Sequence, residues 1–178
     1  MRRTVFLMAL TTALLPALSA AHGPSRQKVT REVAIAAPPE KVWAVIADFC
    51  AIENWHPAVV ECAGEGGNEI GARRVLTIGE AGGPQIEEEL QKYDTTKMQY
   101  KYKIKKTDNA VLPVTTYSAF LTVMPSEDGG STLQWRGGFY RAYPNNNPPP
   151  ELSDEAAVTA VTGVYDAGLA EIKRLAEQ

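Results

Sequence analysis

Histidine and cysteine are the scarcest reactive side chains in this sequence, with two of each among 178 residues. The pattern contains no Ser/His/Asp set, zinc-ligand spacing or glycine-rich phosphate loop, and no cofactor is predicted. Cationic charge is not in excess either, because 18 Lys and Arg stand against 21 Asp and Glu, a formal charge of −3. A mildly acidic chain without a basic helix has no electrostatic reason to bind nucleic acid.

The sequence also lacks long apolar runs, apart from one run near its start. Residues 1–3 are basic after the methionine, Val5–Leu15 is apolar, and residues 19–21 are small. This layout predicts a secretory signal peptide over residues 1–21, because the apolar run is too short to span a bilayer. We therefore expect a periplasmic or secreted protein without a membrane span. Its mature chain would begin at His22 and, having lost two arginines, carry a formal charge of −5.

The two cysteines, Cys50 and Cys62, lie in the part of the chain that would be exported. In an oxidising compartment such a pair favours a disulfide over a metal site. A loop of this size would gain roughly 3 kcal/mol from the bond. Two unlinked buried thiols are the alternative, and the spacing does not decide between them.

After the leader, residues 22–28 show no periodicity and are expected to form a flexible mature N-terminus, followed by one domain over residues 29–178. Val29–Ala36 alternates and predicts a strand. Pro38 and Pro39 favour the start of a helix that runs to Phe49, and a short helix or turn follows at Ala51–Trp55. Six further strands are predicted between turn-forming residues: Val59–Ala63, Arg73–Ile78, Gln85–Tyr93, Met98–Thr107, Thr115–Met124 and Ser131–Tyr140.

The last element is a long amphipathic helix that begins at Ser153, with apolar residues every three or four positions to the C-terminus. Within Met98–Thr107, tyrosines and lysines alternate, which is typical of an antiparallel sheet covered on one face only. The order therefore predicts an α+β fold. A curved antiparallel sheet of about seven strands would wrap around the C-terminal helix, with two short helices after strand 1, and such a sheet tends to leave a cavity.

The stretch Pro38–Phe49, the Trp55-His56-Pro57 turn and the spaced residues of the central strands resemble one known group. They are similar to the START-related, Bet v 1-like helix-grip superfamily (SRPBCC), and within it to the bacterial polyketide cyclase/dehydrase-like branch. The resemblance covers the chain from about Val29 to its end. It implies the helix-grip fold strongly and function weakly, because the superfamily includes cyclases, lipid carriers and receptors.

The leader together with His22-Gly23-Pro24 resembles the MxaD-type periplasmic accessory proteins of methanol oxidation. That resemblance implies a non-catalytic helper in electron transfer from a quinoprotein methanol dehydrogenase to its cytochrome c, so these two proteins are the expected partners. One alternative is a periplasmic carrier of a small apolar or amphipathic ligand. The other is a cyclase or dehydratase-like enzyme that uses Glu88, Arg74 or His56.

Arg74 and Glu88 are the charged residues of greatest interest, because each shares a strand face with aliphatic neighbours. If those faces are the inner ones, the two charges either pair with each other or bind a polar group of a ligand. A salt bridge at the sheet rim is the structural alternative. Aromatic residues are predicted to complete the lining of a ligand cavity, although ordinary core packing explains any single one: Tyr100, Tyr102, Tyr117, Phe120, Trp135 and Tyr165.

Three other groups have a functional and a structural interpretation. His56 could work as an acid or base with Glu53, but a structural role in the turn is the better explanation. His22 could bind copper through its amino terminus and imidazole, with His56 completing the site. Five lysines between Lys97 and Lys106 form a basic stripe, which is either ion-paired with Glu87 and Glu89 or a docking surface for an acidic partner.

Overall fold

The structure is a computed structural model, and it describes residues 23–178. It contains seven strands, two α-helices and two short 3-10 helices within that range. The strands are β1 Gln27–Ile35, β2 Val59–Glu65, β3 Arg73–Ile78, β4 Gln85–Asp94, β5 Gln99–Lys106, β6 Val114–Pro125 and β7 Ser131–Arg141. The helices are α1 Pro39–Ile46 and α2 Asp154–Ala176, and the 3-10 helices are Ala51–Asn54 and Pro150–Leu152.

All seven strands form one antiparallel sheet in the order β1-β7-β6-β5-β4-β3-β2. The sheet curves around α2, and α1 and the 3-10 helix Ala51–Asn54 lie in the connection between β1 and β2. Side chains on the concave face of the sheet are buried together with one stripe of α2, which includes Val161, Leu169 and Ile172. The predicted helix-grip fold is confirmed.

Most predicted boundaries lie within two residues of the observed ones, and β3 matches at both ends. Strand β1 begins at Gln27, two residues before the predicted start. The larger difference is at α1, which ends at Ile46 instead of Phe49. The backbone N–H of Phe49 donates to the side-chain oxygen of Asn68 (2.8 Å), so this residue is held by a distant loop rather than by the helix.

The ends of α2 follow local rules of helix capping. Ser153 is the N-cap, and its hydroxyl accepts a hydrogen bond from the backbone N–H of Ala156 (3.1 Å). Asp154 in the first turn binds Arg141 of β7 (2.8 Å), and this contact joins the start of the helix to the sheet. The acidic first turn also favours the positive end of the helix dipole.

A disulfide joins Cys50 and Cys62. It links the start of the 3-10 helix Ala51–Asn54 to β2, and Glu53 from that helix accepts a hydrogen bond from the N–H of Cys62 (2.6 Å). The predicted leader and His22 lie outside the described residues. Within residues 23–178, no helix is long and apolar enough to cross a membrane.

Candidate functional site

Arg74 and Glu88 form a buried ion pair on the concave face of the sheet. They are directly opposite each other in the β3–β4 pairing, and their side chains are 1% and 6% exposed. Both Nε and Nη2 of Arg74 donate to the same carboxylate oxygen, Oε2 of Glu88, at 2.7 and 2.6 Å. The other carboxylate oxygen, Oε1, takes no part in this ion pair.

The remaining contacts of Arg74 fix its position. Its Nη1 donates to the backbone carbonyl of Phe49, and its guanidinium lies 3.9 Å from the centre of the Phe49 ring. The Tyr102 ring is 5.3 Å away. These contacts fix Arg74 in the interior, and Arg74 in turn holds Glu88 at the inner surface of the sheet. Burial raises the pKa of the Glu88 carboxyl, and the neighbouring arginine only partly offsets this.

A chain of buried hydroxyl groups lies beside this ion pair. The indole N–H of Trp135 donates to the hydroxyl of Tyr102 (3.1 Å), which is 3.1 Å from the hydroxyl of Tyr117. The Tyr117 hydroxyl is in turn 2.6 Å from that of Tyr165 on α2. Burial raises the pKa of all three tyrosines, so each remains a neutral hydroxyl that can donate a hydrogen bond.

A cavity of about 170 Å³ opens next to these groups, between the sheet, α2 and the segment after the 3-10 helix. Its lining is mainly aliphatic, and Glu88 is the single carboxylate in it. The other lining residues are Ile52, His56, Ala58, Val59, Leu76, Ile78, Ile86, Tyr102, Ile104, Val111, Leu112, Tyr117, Trp135 and Val164. An apolar cavity with a few convergent polar groups has the character of a small-molecule site.

A larger open groove of about 910 Å³ lies outside, between the Asn109–Pro113 segment and the first turns of α2. Val111 lines both the groove and the cavity. This half-buried side chain therefore borders both spaces.

The predicted site residues have different positions. Glu88, Tyr102, Tyr117 and Trp135 line the cavity, whereas Arg74 and Tyr165 lie behind it and hold Glu88 and Tyr117. Tyr100 packs between Trp43 and Phe49 in the core, at ring distances of 6.2 and 6.1 Å.

Phe120 was predicted to line the cavity, and this prediction is wrong. Strand geometry explains the error, because Tyr117, Ala119 and Leu121 alternate inward and therefore place Phe120 on the outer face. There its ring lies between the cations of Lys101 and Arg136.

His56 makes two backbone hydrogen bonds. Its Nε2 is 3.0 Å from the carbonyl of Val164, and its Nδ1 is 3.2 Å from the backbone N of Ala58. A carbonyl only accepts and an N–H only donates, so both bonds form only with the neutral ring protonated on Nε2. Burial lowers the pKa of His56, which favours the same form. The imidazole thus connects α2 to the turn through hydrogen bonds, and it also lines the cavity.

No group of three or more potential metal-binding side chains occurs among residues 23–178. Glu53 binds the backbone of Cys62 and does not form the suggested pair with His56. The copper hypothesis also depends on His22, which the structure does not describe.

Comparison with known proteins places the chain in a family. Residues 26–177 match the family described as polyketide cyclase / dehydrase and lipid transport. The chain belongs to this family. A protein of Arabidopsis thaliana named MLP-like protein 423 is 30% identical over 134 residues, which cover 70% of this chain and 83% of that protein.

Solved structures agree with the family's fold. The protein XoxI from Bacillus cereus is 27% identical with a TM-score of 0.69, covering 83% of this chain and 93% of XoxI. Norcoclaurine synthase from Thalictrum flavum has a TM-score of 0.65 over 96% of this chain and 98% of its own, at 17% identity. The second likeness concerns the fold alone.

Proposed function

We propose that this protein binds a small, mostly apolar molecule in the cavity between the sheet and α2 and acts as its carrier. The observation that carries this proposal is the cavity itself: about 170 Å³ with an aliphatic and aromatic lining and one carboxylate, Glu88. A buried apolar cavity of about 150 Å³ is large enough to bind benzene. The expected ligand is therefore about the size of one substituted ring.

The polar groups of the cavity define the other property of the ligand. Glu88 presents a carboxylate with one oxygen outside the ion pair, and Tyr102 and Tyr117 present hydroxyl groups. A hydroxyl or amino group on the ligand would donate to Glu88. The geometry does not favour His56 as a catalytic acid or base, because backbone atoms occupy both of its ring nitrogens.

We expect p-cresol, a single ring with one hydroxyl donor, to raise the melting temperature of the wild-type protein. Ile104→Trp would fill the cavity and abolish this rise, whereas Ile70→Trp makes the same change at a site that is 73% exposed and should leave it intact. The rise should become smaller as the pH falls from 8 to 5. Protonation of Glu88, whose pKa is raised, removes the anionic acceptor.

Native mass spectrometry of protein purified from its host is a second readout for the same proposal. A bound mass in the wild type and in Ile70→Trp, but not in Ile104→Trp, supports a carrier. An interior that is empty in every preparation, together with no response to p-cresol, contradicts it.

The accessory role in methanol oxidation is a second candidate, based on the MxaD-type resemblance and the predicted export. The observation that favours a protein partner is the cationic outer face of the sheet around Phe120. Affinity purification from a methanol-grown host should then recover the quinoprotein dehydrogenase or its cytochrome c. Recovery of neither protein after mild cross-linking contradicts this role.

A further inference from the structure

The convex face of the sheet carries a cationic surface with an aromatic centre. Arg136 on β7 and Lys101 on β5 stand on either side of Phe120 on β6, with their cations 4.7 and 5.5 Å from the centre of the ring. Such contacts hold the cations close to the ring face. Arg26, Lys28 and Lys92 extend this surface, and we call the six residues together the Phe120 patch.

A glycine of β7, Gly138, helps to form a depression in the patch. Arg26, Lys28, Phe120 and Arg136 line a hollow of about 220 Å³, together with the backbone of β7 at Gly137 and Gly138. The guanidinium of Arg26 lies over Gly138, where an added Cβ would be 2.7 Å from its Nη2. The missing side chain therefore makes room for the arginine.

The charges of the Phe120 patch are not neutralised within the described chain. Of the lysine stripe, Lys103, Lys105 and Lys106 form ion pairs with Glu89 and Glu87, which was one of its two interpretations. No ion pair within residues 23–178 includes the five cations of the patch: Arg26, Lys28, Lys92, Lys101 and Arg136.

Two of these cations also oppose each other. Lys92 stands directly across from Lys101 in the β4–β5 pairing. Like charges in this position destabilise a sheet. An anionic partner would relieve that repulsion. The local excess of positive charge does not simply reflect the composition of the chain, because the whole chain carries a net negative charge.

We propose that the Phe120 patch is a docking surface for an acidic segment of a partner protein. From Arg136 to Lys92 the patch crosses four neighbouring strands, which is about 14 Å, the length of four or five extended residues. Glu32 and Glu89 border it on the same outer face. A membrane or a nucleic acid would bring phosphates against these carboxylates, whereas a short acidic segment fits between them.

This inference does not depend on what the cavity binds, because the patch lies on the opposite face of the sheet. Its test uses the full chain and a fluorescein-labelled Glu-Glu-Leu-Glu-Glu peptide, followed by fluorescence anisotropy in 50 and 300 mM NaCl. We expect binding that weakens with salt, as surface electrostatic contacts do. Arg136→Glu should weaken it by about tenfold or more, because like charges then meet.

Lys41→Glu is the matched control, since it makes the same charge change on an exposed position of α1. It should alter peptide binding by less than about twofold, because Lys41 is not part of the Phe120 patch and salt screens interactions between exposed charges. Phe120→Ala keeps every charge of the patch but removes the aromatic ring at its centre. It should also weaken peptide binding. The cavity-filling Ile104→Trp should leave peptide binding unchanged, so failure of the carrier proposal and failure of this one are distinguishable.

Three results would overturn the inference. The first is no peptide binding by the wild type in 50 mM NaCl. The second is an equal loss in Arg136→Glu and Lys41→Glu. The third is Arg136-dependent binding to vesicles of 30% phosphatidylserine, or to a single-stranded oligonucleotide, that is tighter than binding to the peptide.

Discussion

Replacing Arg74 with methionine is expected to lower the free energy of unfolding by about 3–5 kcal/mol, because it leaves the Glu88 carboxylate buried without its partner. The two side chains are almost completely buried, and Arg74 donates twice to Glu88 and once to the carbonyl of Phe49. Urea denaturation followed by circular dichroism at pH 8 measures the change. Lys41→Met, at an exposed position of α1, should alter the free energy by less than about 0.5 kcal/mol.

The cost of Arg74→Met should depend on pH. Burial already raises the pKa of Glu88 in the native protein, and loss of the arginine raises it further. A carboxyl whose folded pKa exceeds its unfolded pKa takes up a proton on folding, so stability is lost as the pH rises through the folded value. The deficit relative to wild type should therefore be larger at pH 8 than at pH 5.

The double variant Arg74→Met/Glu88→Leu distinguishes the cost of an unpaired carboxylate from the loss of packing by Arg74. Removing both charges ends the desolvation cost of an unpaired carboxylate, so the double variant should recover much of the stability lost in the single variant. A double variant that is as unstable as Arg74→Met, with the same deficit at both pH values, would mean that Arg74 acts through packing on Phe49 instead.

Period-two alternation was enough to place Arg74 and Glu88 on the inner faces of their strands, but it left open whether they pair with each other or bind a ligand. Arg74 alternates with Leu76 on β3, and Glu88 alternates with Ile86 and Leu90 on β4, so either register error would have exposed a row of aliphatic side chains. The same rule, applied strictly, excludes Phe120 from the face of Tyr117, since the two are an odd number of residues apart. An aromatic residue type alone does not show on which face of a strand a side chain lies.

The cavity wall could not be predicted in the same way. Val111 and Leu112 come from a connection without periodicity, and His56 reaches the cavity because its imidazole bonds Val164, 108 residues away. The Phe120 patch needs the mutual register of five strands, β1 and β4 to β7, before its cations are neighbours. Contacts of this kind depend on how all the strands pair in the folded sheet, and no local sequence pattern encodes them.

Trp135→Ala should be the most damaging truncation on the sheet, lowering the free energy of unfolding by about 3–5 kcal/mol. The side chain is 1% exposed, stacks on Tyr165 at 4.5 Å and meets Trp55 edge-on at 5.8 Å. Gly168 of α2 makes room for it, because a Cβ there would lie 2.7 Å from the indole. For a chain of this size the melting temperature should fall by roughly 6–20 °C.

The same variant tests whether the cavity is a real binding volume. Trp135 lines it, so truncation adds the space of one indole to the existing 170 Å³. Free indole should then bind in the enlarged space and raise the melting temperature of Trp135→Ala, because a ligand that binds only the folded state stabilises it. Trp43→Ala is the control, since Trp43 packs on Tyr93 and does not line the cavity. If Trp135→Ala does not fold, Trp135→Leu leaves a smaller void and allows the same measurement with benzene. A folded variant that gains no stability from either probe would show that α2 closes onto the sheet, and that the cavity does not persist as a site for the ligand we propose.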